Sequence, residues 1–340
     1  MLDDHLRPAV VVATIDGMAG VGKTGLAVHA AHLLAPRFPD GTLFVDLHGH
    51  SARHDPVDPA DALHDLLCVR GVPSQRIPDT LEARAALWRS ELADRKVLIV
   101  LDDAVSAAQI HPLLPGTIGS VALITSRHRL AELETTLTLS LDVMPSEDAI
   151  ALFASVVGDD RAMRGAVFLA ETVRLCGYLP LAIRIVATRL RTRLAWTVED
   201  LLSRLRQQNG RLTELAIGDR GVAAAFALSY RRLSPDQQRL FRLRGLVPGP
   251  DFDSHGAAAL TGGDVAETDR LVEQLLDLHL LQQVTAGRYR FHPLVRAYAA
   301  ELATTSDDER DALTRRHVWT RSEPNVFLRR RERGACLADL

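Results

Sequence analysis

Gly17-Met18-Ala19-Gly20-Val21-Gly22-Lys23-Thr24 matches the pattern G-x-x-x-x-G-K-S/T. A short apolar run precedes it, and a helical pattern opens at Gly25. The residue types suit phosphate binding. Glycines let the backbone wrap closely and turn its N–H groups inward. The helix that follows adds the positive end of its dipole. Lys23 would bring a compact charge to the β- and γ-phosphates, and the Thr24 hydroxyl would coordinate Mg²⁺. Gly17, Gly20, Val21, Gly22, Lys23, Thr24 and Gly25 therefore form the candidate nucleotide cradle.

Two further groups have the chemistry to complete such a site. Val97–Leu101 is an apolar run that ends in Asp102-Asp103. Asp102 is the candidate Mg²⁺ organiser beside Thr24, and Asp103 is the candidate catalytic residue that polarises an attacking water. Alone, a strand ending in two aspartates is also a common cap or turn. Val121–Thr125 is a second apolar run, followed by Ser126-Arg127. A polar Thr125-Ser126 and Arg127 at a strand's carboxyl end would face the ligand crevice, and Arg127 could report a γ-phosphate. The sequence has no Asn-Lys-x-Asp guanine reader.

These residues need a framework. Ala9–Ile15, Leu43–Leu47, Val97–Leu101, Val121–Thr125 and Leu137–Leu141 read as short buried strands between helical patterns. That alternation predicts an α/β domain with a largely parallel sheet over residues 1–145. His48–Pro59, rich in His, Asp and Pro, reads as an exposed loop. Beyond Pro145 the strand signals give way to helical periodicity over Ser146–Val156, Arg161–Cys176, Pro180–Leu194 and Val198–Arg206. A second boundary is expected near 218. Asp264–His279 reads as an amphipathic helix. Leu280–Val284 and Tyr289–Phe291 read as a hairpin, with a helix starting near Pro293. Helices followed by a small hairpin predict a winged helix over 219–316, and 317–340 reads as a poorly ordered tail.

Composition narrows the classes. The 340 residues carry a formal net charge of −3, which gives no global pull towards nucleic acid or membrane. The apolar runs are too short to span a bilayer, and the start lacks a signal-peptide profile. Cys68, Cys176 and Cys336 have no metal-binding spacing. A cytoplasmic protein is expected. The basic residues are 38 Arg and only two Lys, and one of the two lysines is Lys23.

The motif set resembles the NB-ARC group of STAND regulatory ATPases. It comprises Gly17–Thr24, Leu98–Asp103, Ile124–Arg127, Gly177-Tyr178-Leu179-Pro180-Leu181-Ala182 and Phe291-His292-Pro293-Leu294. Phe38-Pro39-Asp40-Gly41, Gln109–Gly116 and Tyr289–Ala299 are more closely similar to the core of the SARP-family actinobacterial antibiotic regulators. The resemblance implies an α/β P-loop NTPase domain, a helical ARC1-like domain (146–218) and a winged-helix ARC2-like domain (219–316). It implies that Pro180 packs near the adenine, although Pro180 also suits the first position of its helix. It implies that His292 contacts the ADP β-phosphate. Pro293 stands where the family's Met-His-Asp motif has its carboxylate. The family's upstream segment would close the adenine pocket, and DNA-binding or repeat domains would come from another chain or a longer relative.

The expected function is an ADP/ATP-binding molecular switch of a transcriptional or signalling regulator, with Mg²⁺ and slow or absent ATP hydrolysis. ADP would hold the resting state, and ATP would expose a surface for self-association or an output domain. One rival is a DNA-binding transcription factor acting through the winged helix. Its candidate recognition helix, Asp264–His279, carries five carboxylates against Arg270 and suits a phosphate backbone badly. Another is a metabolic ATPase or kinase.

Overall fold

The computed structural model describes residues 11–207, 211–218 and 220–304. The tail expected at 317–340 lies outside the described residues. The chain divides into two compact units. One holds the residues up to Pro145 together with Leu179–Leu181; the other holds Ser146–Tyr178 and the residues from Ala182 on.

In the first unit, β1 (Val11–Asp16) leads into α1 (Lys23–Leu34), then β2 (Thr42–Asp46), α2 (Pro59–Val69) and α3 (Leu81–Glu91). There follow β3 (Leu98–Ala104), the single turn α4 (Ala107–Ile110), β4 (Val121–Ser126) and β5 (Leu137–Ser140). The helix starts follow from local chemistry. Asp58 accepts from the Ala60 N–H ahead of Pro59, and Thr80 accepts from the Ala83 N–H.

The sheet is parallel throughout, in the order β2-β3-β4-β1-β5. Period-two alternation sends side chains to two cores. Ile99, Leu101 and Ile124 pack with Leu63, Leu67 and Trp88 on one face. Leu98, Val100 and Leu123 pack with Ala27 and Ala31 of α1 on the other. Trp88 is fully buried, and its indole N–H donates to the Leu113 carbonyl at 2.9 Å. The register pairs Asp16 with Ser126 and Asp46 with Asp102, so polar residues meet at one carboxyl edge of the sheet. Strand β4 lies between β1 and β3 and so holds Thr125 at the centre of that edge.

His48–Pro59 is not an exposed loop throughout: Gly49 and His50 are buried. Hydrogen bonds to β3 draw this stretch inward.

The second unit begins with α5 (Ser146–Val157), α6 (Asp159–Arg164), α7 (Ala166–Leu175) and α8 (Pro180–Thr192), the start of α8 belonging to the first unit. The continuous helix expected over Arg161–Cys176 breaks at Gly165, which packs against Val198. Next come α9 (Val198–Arg206), α10 (Arg211–Glu214), and the short antiparallel pair β6 (Ala216–Ile217) and β7 (Arg220–Gly221). Thr197 and Asp200 form a reciprocal capping box at the start of α9.

The remainder is α11 (Val222–Tyr230), α12 (Pro235–Leu246), α13 (Ser254–Thr261), α14 (Val265–Asp277), the antiparallel hairpin β8 (Gln282–Thr285) and β9 (Arg288–Arg290), and α15 (Pro293–Thr304). Tyr230, Phe241 and Tyr298 form an aromatic cluster, and Phe291 meets Phe241 edge-on at 5.1 Å.

Candidate functional site

The loop between β1 and α1 has the backbone its glycines foretell. Gly17, Gly20 and Gly22 have φ of 147°, 82° and 105°, values that L side chains rarely adopt. Gly22 is the N-cap of α1, so the loop delivers Lys23 and Thr24 to the first turn of the helix.

Lys23 is 8% exposed. Its Nζ donates to the Gly17 carbonyl at 2.7 Å and the Met18 carbonyl at 3.0 Å. Burial and the charge of Arg127 lower its pKa from 10.5 to about 7, against the pull of Asp103, Asp102 and Asp16. The Thr24 hydroxyl donates to Asp102 at 3.0 Å from Oδ1 and 3.1 Å from Oδ2. The Thr125 hydroxyl donates to the same Oδ1 at 2.5 Å. Burial raises the Asp102 pKa, while the bonds from Thr125 and Thr24 oppose that rise.

Asp103 is reached through a kink. The β3–β4 register shifts between Leu101 and Ala104, and Asp103 takes φ 53°. Its N–H donates to the Thr125 Oγ1 at 2.9 Å. The carboxylate accepts from the His50 N–H at 2.6 Å, lies 3.0 Å from His50 Nδ1 and forms an ion pair with Arg127 at 3.8 Å. Burial raises the Asp103 pKa, but the bonds and charge of His50 and the charge of Arg127 outweigh it and hold the pKa at about 2.

Leu179–Leu181, which belong to the first unit, also reach the loop. The Leu181 N–H donates to the Gly20 carbonyl at 3.1 Å, which sets Pro180 beside that contact. Leu179 is fully buried, and a Cβ on Gly20 would lie 2.9 Å from the Leu181 Cβ. Val21 is buried and Gly25 exposed.

His292 sits in the second unit and is 4% exposed. Its Nδ1 lies 3.3 Å from the Leu294 N–H, which it accepts. Nε2 therefore carries the proton and donates to the Gly177 carbonyl at 2.8 Å. Pro293 leaves room for this arrangement, because it is the next residue, Leu294, whose N–H serves the imidazole.

Thus Lys23, Thr24, Asp102, Asp103 and Arg127 are brought together as the sequence suggests. Sequence reasoning sets Thr125 at the crevice without its partners Asp102 and Asp103, and misses His50 and the Leu181–Gly20 contact. Thr125 was legible as a polar residue ending a buried strand. His50 carried no signal beyond a polar loop. The residues fit a magnesium nucleotide: a glycine-lined loop, a buried amine, and hydroxyl and carboxylate oxygens of the kind Mg²⁺ prefers.

Fold and site together define a P-loop NTPase fold. The Walker-type ATPase PABY2304 of Pyrococcus abyssi shares it, with a TM-score of 0.54 and 11% identity over 85% of this chain and 90% of that one. No family model matches the chain. The regulatory protein AfsR of Streptomyces coelicolor is 46% identical over 307 residues, 90% of this chain and 31% of AfsR. AfsR of Streptomyces griseus is 47% identical over 294 residues, 86% of this chain and 30% of that protein. The chain therefore spans about a third of the length of these curated relatives. The chain has an NB-ARC/STAND-type core, similar to the part of the AfsR regulators that it matches. No described helix is long and apolar enough to cross a membrane.

Proposed function

We propose that the chain is an adenine-nucleotide-binding switch within a transcriptional or signalling regulator. One observation carries the reading: the Thr24 hydroxyl and the Asp102 carboxylate, from different elements, meet within 3.1 Å beside a buried lysine at a glycine-lined loop. Lys23 would hold the phosphates, and Thr24 and Asp102 the Mg²⁺. Asp103 would orient the attacking water, Arg127 would sense a γ-phosphate, Pro180 would line the adenine side, and His292 would read the β-phosphate of ADP. Hydrolysis is slow or absent in this reading, and the ATP state favours self-association. The helices of 146–218 act as an ARC1-like domain and residues 219–316 as a winged-helix ARC2-like domain. Similarity to the regulatory protein AfsR supports the regulatory setting.

The rival DNA-binding reading draws on the β8–β9 hairpin beside α14. The carboxylates of α14 weigh against it. Asp269 accepts from Ser254 and Glu273 from the Tyr289 hydroxyl, so they serve the fold and leave the helix acidic.

The test is to denature the purified protein and identify what it releases. Stoichiometric ADP or ATP, lost in Lys23→Ala, supports the switch. A nucleotide-free protein with no measurable affinity for either defeats it.

A further inference from the structure

The segment between β2 and α2 brings to Asp103 a residue that the phosphate motif does not account for. The His50 imidazole is fully buried. The His50 N–H donates to Asp103 Oδ2 at 2.6 Å, and its Nδ1 faces Oδ1 at 3.0 Å. A carboxylate only accepts, so Nδ1 carries the proton. The main chains are tied as well. Gly49 N–H donates to the Asp103 carbonyl at 2.8 Å, and Leu47 N–H to the Asp102 carbonyl at 2.9 Å. A Cβ on Gly49 would run into that Asp103 carbonyl, so the approach requires glycine there. Gln109 fixes the base of the segment, its Nε2 donating to the carbonyls of Leu47 at 3.3 Å and Val57 at 2.9 Å.

We propose that His50 is a positioning residue that restrains ATP hydrolysis, by holding both carboxylate oxygens of Asp103 onto the β2–α2 segment. The inference rests on the nucleotide-switch reading and adds a regulation of the same site. In hydrolysis, the water oxygen forms a bond to the γ-phosphorus as the bridging P–O bond to the β-phosphate breaks. ADP and inorganic phosphate leave, and the water's proton must pass to an acceptor. Asp103 can take it only through an oxygen lone pair aimed at the water. Here Oδ2 accepts from the His50 main-chain N–H and Oδ1 from the imidazole beside the Arg127 ion pair, so the carboxylate is fixed in orientation on this segment and cannot turn a lone pair to the water. The backbone of Asp103 is pinned too, through Thr125 Oγ1 on one side and Gly49 on the other. Undocking residues 48–57 is then what frees the carboxylate.

The chemistry of position 50 makes this testable. Phenylalanine fills the imidazole's space without a side-chain donor, which releases Oδ1 and leaves only the main-chain N–H on Oδ2. Asparagine sets its side-chain N–H₂ as many bonds from Cβ as Nδ1 is. The full chain, His50→Phe, His50→Asn and His50→Phe/Asp103→Asn are compared in three measurements: calorimetric affinity for ADP and ATP, single-turnover hydrolysis with Mg²⁺, and deuterium uptake by residues 47–57 in nucleotide-free protein. His50→Phe is expected to hydrolyse about tenfold faster or more, with ADP affinity unchanged within about twofold and faster exchange over 47–57. His50→Asn should behave as the parent in both respects, and the double variant should lose the gain. His50→Phe no faster than the parent, including no turnover by either, overturns the proposal. So does a His50→Asn that behaves like His50→Phe. If His50→Phe does not fold by thermal melt, His50→Leu carries the same comparison. A parent chain that binds no adenine nucleotide defeats the switch reading itself. One that binds nucleotide, without acceleration in the variants, defeats only the role of His50.

Discussion

Thr24 and Asp102 lie 78 residues apart in the chain, yet the threonine hydroxyl stands 3.0 and 3.1 Å from the two carboxylate oxygens of the aspartate. Hydroxyl and carboxylate are both hard oxygen ligands, and Mg²⁺ takes few protein ligands beside phosphate oxygens. Asp102→Ala should therefore weaken Mg²⁺–ATP binding by roughly ten- to a hundredfold, the range for losing one charged ligand or hydrogen bond. Binding of ADP in excess EDTA should change by less than about threefold. Titration calorimetry under both conditions checks this. Equal losses would make Asp102 a structural acceptor for Thr24 and Thr125 only.

The parts of this site were legible to different degrees. Buried parallel strands are continuous apolar runs, so Val97–Leu101 and Val121–Thr125 announce β3 and β4 to within a few residues. The phosphate loop is legible because few other uses require that glycine spacing with a lysine. Strand order was not legible. Nothing local says that β4 inserts between β1 and β3, and that insertion is what gives Thr125 to both Asp102 and Asp103. The turn at Asp103 was also hidden, because a left-handed aspartate depends on the partners that hold it. His50 was misjudged because a stretch rich in His and Asp looks solvated. Its burial comes from hydrogen bonds to β3, which composition does not record. The break at Gly165 was obscured by helical periodicity on both sides of it.

The buried amine of Lys23 would make nucleotide binding a proton-linked event. Its pKa in the folded chain lies near 7, below the 10.5 of the free side chain. The folded state therefore binds fewer protons than the unfolded one between those values. Stability falls as pH drops from 10.5 towards 7, and below 7 the whole penalty is present. Phosphate oxygens favour the charged amine and would raise the pKa again. ADP binding at pH 8 should thus take up roughly 0.5–1 proton, read from calorimetry in buffers of different ionisation enthalpy. Lys23→Ala should bind at least about a hundredfold more weakly and take up none. Proton-neutral binding by the parent chain would remove the linkage.

Gln109 is a buried polar side chain whose bonds join two loops to the end of β3. Its Oε1 accepts from the Val105 N–H at 3.0 Å while its Nε2 serves Leu47 and Val57. Alanine there would take the partner from the part-buried Val105 N–H and Val57 carbonyl, while the Leu47 carbonyl keeps the Val57 N–H, at a cost of about 1–3 kcal/mol. Gln109→Ala should lower the denaturation midpoint accordingly. It should also raise deuterium uptake over 47–57, while Gln109→Glu, which keeps one acceptor and loses the donors, should recover little of the loss. Unchanged exchange in that segment would show that Gln109 does not anchor it.

The last prediction concerns Gly177 and His292, which meet within the second unit. Gly177 has φ 61° and Tyr178 after it has φ 56°, so the chain turns through two left-handed residues just before Pro180. The imidazole lies so close over Gly177 that a Cβ there would run into the ring, and Nε2 donates to the Gly177 carbonyl at 2.8 Å. Gly177→Ala therefore suffers twice, through a left-handed backbone that alanine resists and through the clash. A loss of about 2 kcal/mol or more is expected. His292→Ala removes the clash partner but also a buried hydrogen bond and packed ring, and should cost about 1–3 kcal/mol alone. Because the two changes share one contact, they should not add. The double variant should be more stable than the sum of the single losses predicts, by about 1 kcal/mol or more. Urea denaturation of all four proteins, followed by a signal from the second unit, measures that coupling. Strict additivity would mean that the imidazole does not bear on Gly177 in solution. A coupling of the expected sign would make the His292–Gly177 contact a fixed part of this unit, against which any effect of ADP on His292 can then be measured.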